Sequence, residues 1–186
     1  RTHVQLMKHK NFALFSGLFM IGKVEVKDDT KSGTAETNGL DVIYDREFIN
    51  RLTDKQLAFL ILHENMHKAY RHLIVWQKLY KENGHLANLA CDYVINLQIA
   101  DYDQSGEVTE MPTDEDGNVM GCIDEKYRGM DAHQVYNELV KKYGKDAGKG
   151  KVFVVGGGEG DENGHSSSDD GDLPEGFDEH DWEGAQ

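Results

Sequence analysis

Residues 53–84 read TDKQLAFLILHENMHKAYRHLIVWQKLYKENG, and the fold turns on how this stretch is understood. Thr53 suits a helix N-terminus, and Gln56 three positions on completes a capping box. Asn83 and Gly84 are residues that end helices, and nothing between them breaks the pattern. The stretch predicts one long helix, about 45 Å at 1.5 Å rise per residue. His63 and His67 stand four residues apart and share a face, where two imidazoles can hold one metal ion. Glu64 sits beside them, placed to take a proton from a water. This H-E-x-x-H pattern has the mechanics of a zinc peptidase. The apolar run at 57–62 buries the helix, and ionisable groups on a buried helix are costly without a ligand to satisfy them.

The next helix is expected over 85–101, HLANLACDYVINLQIAD. Most of it is apolar, but Asn88, Asp92 and Asn96 recur every four residues and make one polar stripe. Buried amides and carboxylates need partners, and the histidine pair of the preceding helix is the evident one. A catalytic zinc takes three protein ligands and keeps one open position, so Asp92 completes a His-His-carboxylate set. The alternative is that Asp92 orients a histidine from behind. His85 and His180 are the other candidates for a third ligand. Asn88 and Asn96 are expected to orient the ligands, and Tyr93 or His180 to assist at the site. His72 lies nine residues after His63, one short of the metzincin third histidine, and reads as a surface or packing residue.

Charge divides the 186 residues into a body and a tail. Eleven of the 34 acidic residues and none of the 20 basic ones fall in 156–186, so the body is nearly balanced. No basic surface suits nucleic acid. The two cysteines, Cys91 and Cys122, are far apart, which fits a reducing cytoplasm better than a disulfide framework. Basic residues before an apolar run at 12–21 imitate a signal peptide, but no small-x-small site follows. The run is also too short to span a bilayer. It reads as a core-packing helix over 4–22, and neither secretion nor a membrane is expected.

Strands are expected at 24–26 and within 34–44, most clearly 40–44. As a hairpin beside the metal helix they offer an edge to which an extended substrate can add. Asp101 to Gly106 begins like a calcium loop but has Pro112 where the bidentate Glu is required. Asp131 and Gln134 form a second capping box, opening a last helix with Val135, Tyr136, Leu139 and Val140 on its apolar side; His133 on it is expected at the surface. A short strand is expected at 151–155. Residues 156–172 are too polar and Gly-rich to fold. The segment 173–182 differs by carrying Phe177, His180 and Trp182, and a tether of about twenty residues spans roughly 25 Å, enough to bring it back to the cleft. The expected division is therefore a domain at 1–145 and a tail at 146–186 with a docking segment at 173–182.

The run Thr34-Ala35-Glu36-Thr37-Asn38-Gly39, then Ile43-Tyr44, Phe48, Leu52 and the H-E-x-x-H motif, resembles the metallopeptidase domain usually found before a von Willebrand factor A-like domain. Residues 88–96 resemble that family's next motif, with its Asp and both Asn. Tyr127 to Asp131 with Val135, Tyr136 and Leu139 resembles a third block, and Asp178, His180 and Trp182 a last element. The resemblance covers most of 11–140. It implies a zincin-like α+β fold, with the H-E-x-x-H helix packed on the striped helix beside a small sheet or hairpin. It also implies a predicted peptidase activity and a bacterial or phage setting, while Zn2+ is the cofactor the motif points to. A MoxR-type AAA ATPase partner follows by family analogy only. Asn38 departs from the family's usual Asp, which removes that carboxylate from consideration. The expected function is a zinc peptidase with His63, His67 and Asp92 on the metal and Glu64 as general base. The alternative is a metal-stabilised interaction or regulatory module without turnover.

Overall fold

The computed structural model describes residues 1–149, 173–174 and 180–185; the strand expected at 151–155 and the polar stretch at 156–172 lie outside the described residues. The N-terminal apolar stretch is not one helix. It forms α1 (Thr2–Lys8) and two single 3-10 turns at Ala13–Phe15 and Leu18–Met20. The short pieces let Leu6, Phe12, Phe15 and Phe19 all turn inward, a spread wider than one helical stripe.

Three strands follow: β1 (Val24–Lys27), β2 (Ala35–Thr37) and β3 (Val42–Asp45), in the order β1-β3-β2. The expected hairpin of the first and last is corrected, because β1 runs parallel to β3 and the antiparallel partner of β3 is β2. The β2–β3 turn is held by Asn38, whose Oδ1 accepts from the backbone of Leu40 at 2.9 Å and Asp41 at 2.7 Å. Gly39 supplies the positive φ of 88° that the turn needs. On β3, Val42 and Tyr44 point inward at the period of two that a strand imposes. Asp45 then caps α2 (Arg46–Arg51) by accepting from Phe48 N at 3.0 Å.

The helix α3 runs over Asp54–Tyr70 and opens on the reciprocal capping box of Thr53 and Gln56. It does not continue to residue 84. Arg71 adopts a left-handed conformation with φ 52°, and α4 (His72–Val75) and α5 (Gln77–Glu82) follow as short helices. On an unbroken helix His72 lies nine residues, half a turn's rotation, from His63 and points away from it. The left-handed step swings it back, so that its ring meets that of His67 at 5.2 Å and is buried. Asn83, expected to stop a helix, starts one: its side chain accepts from Leu86 N at the head of α6 (Gly84–Tyr102). The last helix, α7 (Ala132–Tyr143), carries the capping box of Asp131 and Gln134 and ends at Gly144.

The architecture is α+β, with the core in two apolar clusters. One gathers the N-terminal turns, the inner sheet face and α3. The other gathers α5, α7 and much of α6. The helix α6 divides them: Ile95 and Ile99 face the first, while Leu86, Leu89, Ala90 and Val94 face the second. The body extends slightly past residue 145, since Asn83 Nδ2 donates to the carbonyls of Lys145 and Ala147 and Ala147 is buried. No helix among the described residues is long and apolar enough to cross a membrane.

Candidate metal centre

His63, Glu64 and His67 ride on α3 where Leu60, Ile61, Leu62 and Met66 pack it into the first cluster. The run at 57–62 is apolar all round and encloses the helix, and all three polar side chains that follow are fully shielded from solvent. Facing them, α6 presents the stripe at 88, 92 and 96, also buried. Two helices crossing at their polar positions leave one polar point in an apolar surround.

His63 Nε2 and His67 Nε2 stand 3.1 Å apart. Asp92 Oδ1 lies 3.4 Å from His67 Nε2 and 3.7 Å from His63 Nε2. A fourth donor arrives from the end of the described chain: His180 Nε2 is 2.9 Å from His67 Nε2 and 4.0 Å from Asp92 Oδ1. Its ring is fully buried. One ligand atom from each of the four lies within 4.8 Å of all the others. Donors bound tetrahedrally at 2.0–2.1 Å are roughly 3.3 Å apart, and these separations bracket that edge. Imidazole nitrogens directed at one another repel unless a proton or a cation lies between them, so the residues fit a small divalent ion.

The stripe asparagines fix the donors. Asn96 Nδ2 donates to the Cys122 carbonyl at 2.7 Å, which sets the amide's orientation and leaves Oδ1 to face His63 Nδ1 at 2.8 Å. His63 therefore carries its proton on Nδ1, and its Nε2 lone pair points into the cluster. Asn88 Nδ2 donates to Asp92 Oδ2 at 3.2 Å, leaving Oδ1 directed at the histidines. His67 is held far below the ordinary histidine range by burial, and next by the neighbouring His180, His63 and His72. A neutral imidazole is the form that binds metal. Glu64 acts on two neighbours. It raises the Tyr44 hydroxyl, whose first cause of elevation is burial. It also partly offsets the burial that lowers Lys68, whose Nζ donates to the Ile21 carbonyl at 3.0 Å.

Several expected residues are placed elsewhere. Tyr93 is one step, about 100°, round α6 from Asp92, so it faces the second cluster and packs on Tyr127 at 4.6 Å. It does not reach the centre. His85 packs against Gly148, outside the cluster. His133 is exposed and stacks on Trp76, and Asn38 serves its own turn. Sequence reasoning missed Cys122, whose carbonyl anchors Asn96, and Tyr44. For Tyr44 the alternation on β3 with Val42 was a usable signal; for a loop carbonyl there is none.

Above the centre, the segment at 180–185 crosses the edge of the sheet. Asp181 N donates to the Thr37 carbonyl of β2 at 3.0 Å, and Trp182 is buried against Tyr80, ring centroids 5.0 Å apart and nearly parallel. A cleft of about 580 Å3 opens beside it, bounded by Glu25, Glu36, Ile43 and His180.

Fold and site together define an α+β domain with a buried candidate metal centre built from two helices and a returning segment. The chain belongs to the family described as "Putative metallopeptidase domain", whose model matches residues 2–180 and so takes in all four donors. Comparisons with curated proteins and with solved structures gave no match.

Proposed function

We propose that this protein is a zinc-dependent peptidase of zincin type, with one catalytic domain over about 1–149. The observation that carries this reading is the meeting of His63, His67 and Asp92 from two buried helices, with Glu64 on the same helix turn. Two imidazole nitrogens and a carboxylate oxygen suit zinc better than magnesium or calcium. His63, His67 and Asp92 would hold the zinc, which would supply Lewis acidity toward a peptide carbonyl and toward a water at neutral pH. The remaining work falls to the chain. Asn96 keeps His63 in the tautomer that presents Nε2, and Asn88 steadies Asp92. Glu64 accepts the proton of the attacking water and returns it to the leaving amine. The apolar clusters on either side exclude bulk water, so the charges act at low dielectric. The edge of β2 receives the extended substrate backbone.

One observation favours a second reading. Four protein donors make a closed set, the mark of a structural site rather than a catalytic one, which suits an interaction or regulatory module without turnover. The two readings part at Glu64, which a structural site does not need. Glu64→Gln keeps the side-chain shape and removes the proton acceptor. The expected outcome is metal content equal to wild type with cleavage of an unfolded protein substrate lost. Equal cleavage by both proteins would mean a contaminating protease. No cleavage by either would return weight to the module.

A further inference from the structure

We infer that residues 180–185 form a self-docked strap that lies where a substrate strand binds and closes the metal centre with a removable fourth donor. Its meaning for catalysis rests on the peptidase reading, but the closure is a separate structural claim. Three observations carry it. The first is the origin of the donors. His63, His67 and Asp92 belong to helices enclosed by the two cores, whereas His180 stands on a segment without helix or strand and reaches His67 across 113 residues of sequence. The second is the path of the segment. Asp181 N pairs with the Thr37 carbonyl on β2, the strand at the edge of the sheet nearest α3. An extended peptide adding to that edge needs the same carbonyl. The third is the anchor. Trp182 is buried on Tyr80, and Leu173 and Ala185 pack partly against the same cluster. The backbone between is tightened by Trp182 N donating to the His180 carbonyl and Gly184 N to Asp181 Oδ1.

Strap and substrate are thus alternatives. An extended peptide reaching Thr37 must displace Asp181, and in doing so draws His180 off the fourth position that catalysis requires. The class of ligand that opens the centre is an extended polypeptide, and the strap is its intramolecular competitor. Covalent linkage gives such a segment an effective concentration of about millimolar, so modest contacts keep it docked.

Cobalt(II) in place of zinc makes the fourth position visible through its absorption bands, and azide reports whether that position accepts an outside ligand. The full chain is loaded with cobalt and titrated with azide as wild type, His180→Ala and Trp182→Ala. His180→Ala is expected to hold the metal and to bind azide at least tenfold more tightly than wild type. Trp182→Ala, which keeps the donor and loosens its anchor, is expected between the two. Imidazole added to His180→Ala is expected to restore the wild-type spectrum. Azide binding equal in all three proteins would overturn the strap, and so would loss of metal from His180→Ala as complete as from His63→Ala. Peptide cleavage separates the two claims. Faster cleavage by His180→Ala and Trp182→Ala supports both, and slower cleavage by both overturns the restraint. No cleavage by any variant, with the azide difference intact, removes the peptidase and leaves the strap standing.

Discussion

The helix pair α3–α6 and the segment at 180–185 deliver the same kind of side chain to the same point, and they differ in what must be disrupted to take it away. Removing His63 or Asp92 from the centre means moving a helix whose neighbours are packed into one core or the other. Withdrawing His180 means exposing its own ring and the light contacts of Leu173 and Ala185. It also means lifting one stacked indole, worth about 2–3 kcal/mol of burial, and breaking one backbone hydrogen bond of about 1 kcal/mol. The first set is fixed for as long as the protein is folded; the second is at the scale of an ordinary binding equilibrium. Position in a donor cluster therefore does not reveal how permanent a donor is. The packing behind it does.

The sharpest way to break this comparison is to delete donors from each side. His63→Ala or His67→Ala is expected to reduce zinc from about one per chain to none and to lower the melting temperature by several degrees, since the ion stabilises only the folded state. Asp92→Ala should follow them if it holds the metal directly. Metal analysis with calorimetry checks this; zinc retained at full stoichiometry in either histidine variant would take α3 out of the site. A smaller effect is expected behind the donors. Asn96→Ala frees the His63 ring and should cost 10–100-fold in metal affinity, read by competition with a chelator, with the fold intact.

The third effect is graded with pH and tests how strictly the helix side excludes charge. Burial, and then the nearby His180 and His63, lower His72 from 6.5 to about 3. Below pH 6.5 the unfolded chain takes up a proton that the folded chain refuses until about pH 3. The unfolded state thus binds more protons in that window, and stability falls as pH falls through it, by up to about 1.4 kcal/mol per pH unit. His72→Phe keeps a ring in place and removes the proton site, so its urea midpoint should decline less steeply between pH 6.5 and 4. Identical slopes would mean that His72 titrates alike in both states.

What was legible in the chain follows the same division. The motif at 63–67 and the stripe at 88, 92 and 96 are local periodicities, and helices preserve them. Both capping boxes were read for the same reason. The break at Arg71 was hidden because left-handed steps are normally marked by Gly or Asn, and here an Arg takes one. The parallel pairing of β1 with β3 was hidden because nothing in either strand names its partner; the order of three strands is decided by the core beneath them. His180 was signalled by the oddity of Phe, His and Trp in an acidic tail and by the resemblance of 178–182 to a last family element. Composition gave its affinity for the body, but where it lands depends on an edge and an aromatic slot built by residues 37 and 80.

The separation of 113 positions from His67 to His180 also sets an order in time. A chain elongating at about 5–20 residues per second produces His180 roughly 6–23 s after His67. During synthesis the three helix donors exist before their closing partner does. An ion arriving in that interval meets a centre with one side still open, and the strap then shuts on it. A finished molecule stripped of metal is accordingly expected to refill more slowly than one whose His180 is replaced by Ala.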